Sequence, residues 1–529
     1  MIERLVLRQL VAPAFEFGNS IRNGCSWITA RAHLRSAHVS AALILAFSAP
    51  MQHASADVKL NGLFTDGAVL QCEKRIPIWG TAGEGEQVTL ALRGFKATTV
   101  SRNGRWTVYL PPMPAGGPCS LTVSGRNRIH LANVVLGEVY LCCGQSNMEW
   151  PLSLSSTAAD ALQNARDPML RLYTVPRAIS DTPQSAVAGK WQASTPESAR
   201  GFSAVAYFFG CSLRRSLGRP VGLIESAWSG TTAQSWTSRA ALLAHPETAV
   251  LVANYAREQE DFQRSLSEYE VAREVARANG ETDPLRPSSP TGQGSPALVY
   301  NAMIAPLAPM GMRGVVCYQG ESNTGSADLY RTLFPAMIES WRDAWSDPNL
   351  PVLFVQLAPF LRKSEAPMES AWAELRDAQL EVSQTVPNTG MVVTIDVGDQ
   401  FDIHPRDKQT VGERLERLAR MIVYRQDVEA MGPVVQSMTI SADTAVLHFT
   451  HIGGGLEVKG NGPLTGFTIA GENGPYVNAS AVIRGDTVVV SAPGIGYPAR
   501  VRYGWADYPE GNLWNHAGLP ASPFQTRRK

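Results

Sequence analysis

The stretch GEVYLCCGQSNMEWPL, residues 137–152, decides how this chain folds. Its first half, Glu138–Cys143, is a short run rich in strand-forming apolar residues. The run stops at Gly144, and the polar residues Gln145, Ser146 and Asn147 follow at once. A stretch apolar on consecutive positions suits a strand buried on both faces, the kind found in parallel sheets. The same grammar recurs downstream at Val221–Ser226 (VGLIES), Arg313–Gln319 (RGVVCYQ), Pro351–Leu357 (PVLFVQL) and Gly390–Ile395 (GMVVTI). Helical patterns lie between these runs and after the last, at Phe202–Leu217, Leu329–Trp345, Ala371–Thr385 and Lys408–Tyr424. This alternation predicts an α/β fold, a doubly wound, parallel, five-stranded sheet with helices on both faces.

The flanks read differently. From Asp57 to Leu136, short apolar runs such as Val88–Leu92 and Trp106–Leu110 are separated by Gly-rich turns, the spacing of a small all-β domain. From Gly432 to Lys529 strand patterns return at Ser437–Ile440, Ala445–His448, Gly466–Ile469, Thr487–Val490 and Arg500–Tyr503. The expected organisation is a leader at 1–56, an N-terminal β domain at 57–136, the α/β domain at 137–431 and a C-terminal β region at 432–529. A charged helical insertion near 240–279 is expected to cover one side of the site.

The bulk numbers narrow the function. The chain has 529 residues, more than one ordinary domain holds. Lys and Arg number 47 and so do Asp and Glu, and no basic face stands out, so nucleic acid is not an expected partner. Arg31 and Arg35 precede the apolar run Val39–Phe47, and Ala54-Ser55-Ala56 stands before Asp57. That order is a secretory signal cleaved near Ala56, which predicts a secreted or periplasmic protein. The apolar run is far shorter than the ~20 residues of a membrane span, and no later segment reaches that length. Cys25 lies in the leader. Cys72, Cys119, Cys142, Cys143, Cys211 and Cys317 show neither C-x-x-C spacing nor histidine partners at zinc spacing, so no structural metal is expected. Their pairing stays open, although the strand-like setting of Cys142, Cys143 and Cys317 suits buried thiols.

In a parallel sheet the strand C-termini share one edge, and ligands bind there. The unusual residues fall at that edge. Ser146 follows the first strand and Gly230 follows the second. Gln319-Gly320-Glu321-Ser322-Asn323 ends the third, and Asp402-Ile403-His404-Pro405 follows the fifth. A serine hydroxyl needs an adjacent base to act as nucleophile. His404 is the histidine on this rim, and Asp402 can fix its tautomer and stabilise the imidazolium. Ser146 N–H, Gly230 N–H and the Asn323 side-chain amide can form an oxyanion hole. Gln145, Gln319 and Glu321 are candidates for binding substrate or supporting the loops. This chemistry needs neither a metal nor an organic cofactor. Structural roles stand beside these: Asp402 and Asn323 can each cap the helix that follows, and Glu321 can pair with a backbone amide or with Arg406.

The serine loop is not the Gly-x-Ser-x-Gly elbow of α/β-hydrolases, because the second glycine is missing and Asp402 and His404 share one loop. It resembles the SGNH hydrolase superfamily. Within it, the chain is similar to the sialate O-acetylesterase family of carbohydrate esterases. The motifs that carry the likeness are residues 137–152, YNAMIAPL (300–307), RGVVCYQGESNT (313–324), WAELRDAQ (372–379) and DIHPRDKQTVGERLERLA (402–419). The flanks join in through LFTDGAVLQ (63–71) and segments of 501–524. The resemblance implies an SGNH-type sheet flanked by all-β regions and O-acetylated carbohydrate, above all O-acetylated sialic acid, as substrate. It also implies Ser146 as nucleophile, His404 and Asp402 as base and acid, and Ser146, Gly230 and Asn323 around the oxyanion. Trp150, Trp228 and Trp236 can stack on a sugar or be buried. Two departures stand out. Ser229-Gly230-Thr231 replaces the Gly-Gly-Thr of many relatives. Asp-x-His replaces Asp-x-x-His, which leaves Asp399, Glu321 or a backbone carbonyl as other partners for the imidazole. Acetylxylan or another plant glycan is the alternative substrate, and a non-catalytic carbohydrate-binding protein is the alternative class. The esterase reading expects Ser146 and His404 to be hydrogen-bonding neighbours, and it falls if they lie on opposite faces of the molecule.

Overall fold

The computed structural model describes residues 57–526, so the expected export signal and Cys25 lie outside the described residues. The strand predicted at Glu138–Cys143 is the end of a longer one, Arg128–Gly144 (β1). Its burial changes along its length. Arg128–Asn133 is largely exposed or half-buried, whereas Val134–Gly144 is buried throughout. The first part pairs antiparallel with Gly116–Ser124 in the N-terminal β region. Val135–Gly137 pair with Val69–Gln71, and the last part enters the central sheet. One continuous strand therefore belongs to both regions.

The central sheet also contains Asp167–Thr174 (β2), Gln192–Ser194 (β3), Val221–Ala227 (β4), Gly314–Tyr318 (β5), Val352–Val355 (β6) and Thr389–Val392 (β7). Its order is β3-β2-β4-β1-β5-β6-β7, and every neighbouring pair is parallel except β3 with β2. The expected five strands are present, and β2 adds a sixth parallel strand. The sequence DPMLRLYT hides it, because Pro168 and Arg171 break the apolar run. Arg171 is nonetheless buried, its guanidinium donating to Asn133 Oδ1 at 3.0 Å.

Four helices cover the sheet: Ala204–Leu217 (α1), Ala327–Trp345 (α2), Ala371–Thr385 (α3) and Lys408–Ile422 (α4). The side chains of β1 alternate between the two faces. Tyr140 and Cys142 join Phe209, Leu213, Leu415 and Leu418 of α1 and α4. Val139, Leu141 and Cys143 join Leu333, Phe334, Met337 and Leu375 of α2 and α3. This is the doubly wound arrangement, and it explains why these strands are apolar at every position. α1 and α4 pack closely at Gly412, where a Cβ would fall 2.7 Å from the Phe209 backbone nitrogen.

The C-terminal strands Val434–Ser441, Thr444–Thr450, Ser480–Arg484 and Thr487–Ser491 form a four-stranded antiparallel sheet. This region is fastened to the α/β core by Arg376, which is wholly buried in α3. Its guanidinium donates to the carbonyls of Leu357 and Ala358 on one side and of Ala506 and Asp507 on the other. The charged insertion folds as the helices Arg239–Ala244 and Pro246–Ala278, and the latter buries only Thr248, Val252 and Ala276. All six cysteines among the described residues are free thiols. No helix among the described residues is long and apolar enough to cross a membrane.

Candidate active site

Strands β4, β1 and β5 end level with one another, with Ala227 and Tyr318 both in register with Gly144. Gly144 has φ +141°, and a Cβ there would lie 2.0 Å from the Tyr318 carbonyl oxygen. Only glycine lets the strand turn this tightly against its neighbour. The chain passes directly into the short helix Ser146–Glu149, pinned by Gln145 N–H donating to Tyr318 O at 3.1 Å. Ser146 is half-buried and lines a cleft of about 350 Å³ together with His404. No residue of the helical insertion lines this cleft; its residues Leu251, Asn254 and Tyr255 instead line a second cavity together with Gln234.

The imidazole is held from two directions. Asp402 Oδ1 accepts from the His404 backbone N–H at 2.9 Å and lies 3.2 Å from Nδ1. Trp150 stacks on the ring, with centroids 4.9 Å apart and planes inclined by 19°. The Asp-x-His spacing thus brings the carboxylate to the ring, and Asp399 instead accepts from the backbone N–H groups of Phe401 and Asp402. Asp402 is not the cap of α4. That role belongs to Asp407, whose Oδ1 accepts from Thr410 N–H at 3.0 Å. Ser146 and His404 face the same cleft, but no hydrogen bond joins their side chains among the described residues, a correction to the expected direct contact. Trp150 and Asp402 set the ring position, and bonds of this kind commonly tighten only in the Michaelis complex.

Gly230 lies exposed beside the cleft in the left-handed region, φ +74°. Asn323 is buried. Its Oδ1 accepts from Ala233 N–H at 2.9 Å and Gln319 Nε2 at 2.8 Å, which points Nδ2 outward, where it donates to Gln234 Oε1 at 3.2 Å. Neither Gly230 nor Asn323 is among the residues lining the Ser146 cleft. The helix after Asn323 takes Ser326 as its first flanking residue, so Asn323 is not its cap. Gln145 and Gln319 support the loops: Gln145 Oε1 accepts from Ser322 N–H at 3.3 Å, and Gln319 Oε1 accepts from the Tyr330 hydroxyl at 3.0 Å. Among the described residues Glu321 does not pair with Arg406, and the backbone amide it meets is its own. It accepts from Asn147 Nδ2 at 2.5 Å.

The family model described as "Carbohydrate esterase, sialic acid-specific acetylesterase" matches residues 292–421. The sialate O-acetylesterase of Mus musculus is 32% identical over 422 residues, covering 71% of this chain and 75% of its own. The chain belongs to the sialate O-acetylesterase family. The Homo sapiens sialate O-acetylesterase is 31% identical over 71% of this chain and 72% of its own. A crystal structure of a carbohydrate acetylesterase from Xanthomonas citri superposes with a TM-score of 0.77 at 36% identity, over 89% of this chain and 100% of that one.

Several residues of the site escape sequence reasoning. Glu225, at the end of β4, is 4% exposed yet lines the cleft. Burial pushes its carboxyl up to about 8, against the opposing bonds from the Ser203 backbone and the Thr174 hydroxyl. Arg177 also lines the cleft and is paired with Glu149 at 2.6 Å, while Glu149 Oε2 accepts from Ser229 N–H at 2.9 Å. Burial holds the His404 imidazole below its ordinary value. Asp402 opposes this and the Lys408 cation adds to it. A neutral imidazole is the form a general base requires. One further set of metal-like donors occurs among the described residues, Cys72, Glu73 and Glu138, at the opposite end of the central part of β1. Glu138 there is already paired with Arg313 at 2.6 Å and Arg219 at 3.2 Å.

Proposed function

We propose that this protein is an exported serine esterase that hydrolyses O-acetyl esters on carbohydrates, with O-acetylated sialic acids as its substrates. The observation that carries the reading is one cleft lined by both Ser146 and His404, with Asp402 Oδ1 3.2 Å from the imidazole Nδ1. His404 removes the Ser146 proton as the hydroxyl oxygen attacks the acetyl carbonyl. The oxyanion of the tetrahedral intermediate is held by Ser146 N–H, Gly230 N–H and the side-chain amide of Asn323. The intermediate collapses to acetyl-serine, and the departing sugar oxygen takes the proton from the imidazolium. Water then attacks the acetyl-serine with His404 again as base, and acetate leaves. The guanidinium of Arg177, with its side chain 56% exposed at the cleft, supports an acidic sugar as substrate, since a sialate carboxylate would meet it. Export rests on the basic, apolar and small-residue order of residues 31–57.

The decisive measurement is acetate release by wild type and Ser146→Ala from O-acetylated sialic acid and from acetylxylan. Release from the sialic acid that is abolished in Ser146→Ala is expected. Turnover by a folded Ser146→Ala at the wild-type rate would remove Ser146 from the reaction, and preference for acetylxylan would replace the substrate.

A further inference from the structure

Lys408 opens α4 and is 1% exposed, directly beneath the two loops that form the site. A buried ammonium is costly unless it is bonded. This one donates to Asn147 Oδ1 at 2.5 Å. Its Nζ also lies 5.5 Å from the Tyr318 ring and 5.8 Å from the Trp150 ring, within reach of their π faces. The other end of the Asn147 amide donates to Glu321 Oε1 at 2.5 Å and to the Ile403 carbonyl at 3.1 Å. Asn147 follows Ser146 in the chain, and Ile403 precedes His404. A single side-chain amide, oriented by a cation on its oxygen, therefore bridges the loop after β1 to the loops after β5 and β7.

We propose that Lys408 is a positioning residue of the hydrolytic centre, its ammonium fastening the His404 loop to the Ser146 loop through the Asn147 amide. This rests on the reading of Ser146 as nucleophile and His404 as base. A packing role alone would be met by an apolar side chain of similar volume. The charge has its own consequence for the imidazole. The titratable groups facing Lys408 are Glu321 and Tyr318 from the β5 side, and Asp402, His404 and Asp407 from its own loop. Burial pushes Lys408 down to about 7, with Glu321, Asp402 and Asp407 pulling the other way. Below that pH it carries its proton, and this is the range in which the imidazole would gain its own. The two cations repel, so His404 stays a free base to lower pH.

The test measures kcat and KM for a chromogenic acetyl ester between about pH 5 and 9 in wild type, Lys408→Met and Lys408→Arg. Lys408→Met is expected to lower kcat by about tenfold or more with KM within about threefold. It is also expected to move the acid limb of kcat/KM upward by roughly half a pH unit or more. Lys408→Arg keeps the charge, and its acid limb stays at the wild-type position. A folded Lys408→Met with an unmoved acid limb overturns the proposal, as does a loss confined to KM. If Lys408→Met does not fold, Asn147→Leu takes its place: it cuts the bridge and leaves the ammonium, so kcat should fall without a shift of the limb. Wild-type kcat in that variant is equally fatal. Ser146→Ala and His404→Ala are assayed alongside. Activity in either one removes the underlying reading, whereas inactivity in both with an unaffected Lys408→Met removes only the role of Lys408.

Discussion

Replacing Asp402 by asparagine isolates the charge of the acid from its geometry. Oδ1 of Asp402 serves both the His404 backbone N–H, at 2.9 Å, and the ring Nδ1, at 3.2 Å. An amide oxygen in the same place accepts both bonds, so Asp402→Asn removes only the negative charge that stabilises the imidazolium. Two unit charges about 4 Å apart interact by ~1 kcal/mol in water and ~4 kcal/mol at an effective dielectric of ~20. The His404 and Asp402 side chains are 26% and 38% exposed, so solvent screens the pair and the lower part of that range applies. About 1–2 kcal/mol corresponds to a roughly 5- to 30-fold loss in kcat. The acid limb of kcat/KM should also move down, because the carboxylate favours the protonated ring. That is the opposite direction to Lys408→Met. Asp402→Ala loses the ring's anchor as well and should cost more. Initial rates on a chromogenic acetyl ester across the pH range provide the assay. The reasoning is refuted if Asp402→Ala equals wild type, or if Asp402→Asn is as inactive as His404→Ala.

Two further outcomes follow from buried groups of the site. Asn323→Ala is expected to lower kcat by roughly two to three decades, as loss of an oxyanion donor does. A change in KM alone would assign Asn323 to substrate binding. Glu225 has an ordinary value of 4.5, raised by burial to about 8 in the folded chain. Its favourable contribution to stability is complete below about 4.5 and is lost as pH rises towards 8, because the unfolded chain ionises first. Glu225→Gln keeps an acceptor for Thr174, so its Tm relative to wild type should climb between about pH 5 and 8. A Tm difference that does not vary with pH would contradict a protonated Glu225.

The chain order of residues determines a good deal by itself. Continuous apolar runs mark β1, β4, β5, β6 and β7, because strands covered on both faces have no polar side. Parallel alternation then places Ser146, Gly230, the 319–323 loop and His404 on one edge, since every strand of such a sheet ends there. Only the tertiary structure shows β2, whose Pro168 and Arg171 interrupt its pattern, and the passage of β1 from one region into the next. The same holds for Lys408. In Asp-Ile-His-Pro-Arg-Asp-Lys it reads as a solvated residue at a charged helix start. It is buried because loops distant in sequence close over it. Glu225 reads as a strand polar residue, and the upward shift of its carboxyl depends on the water excluded around it. Local pattern encodes which face of an element is apolar. It does not encode which loops meet across that face, and the chemistry of this site resides in those meetings.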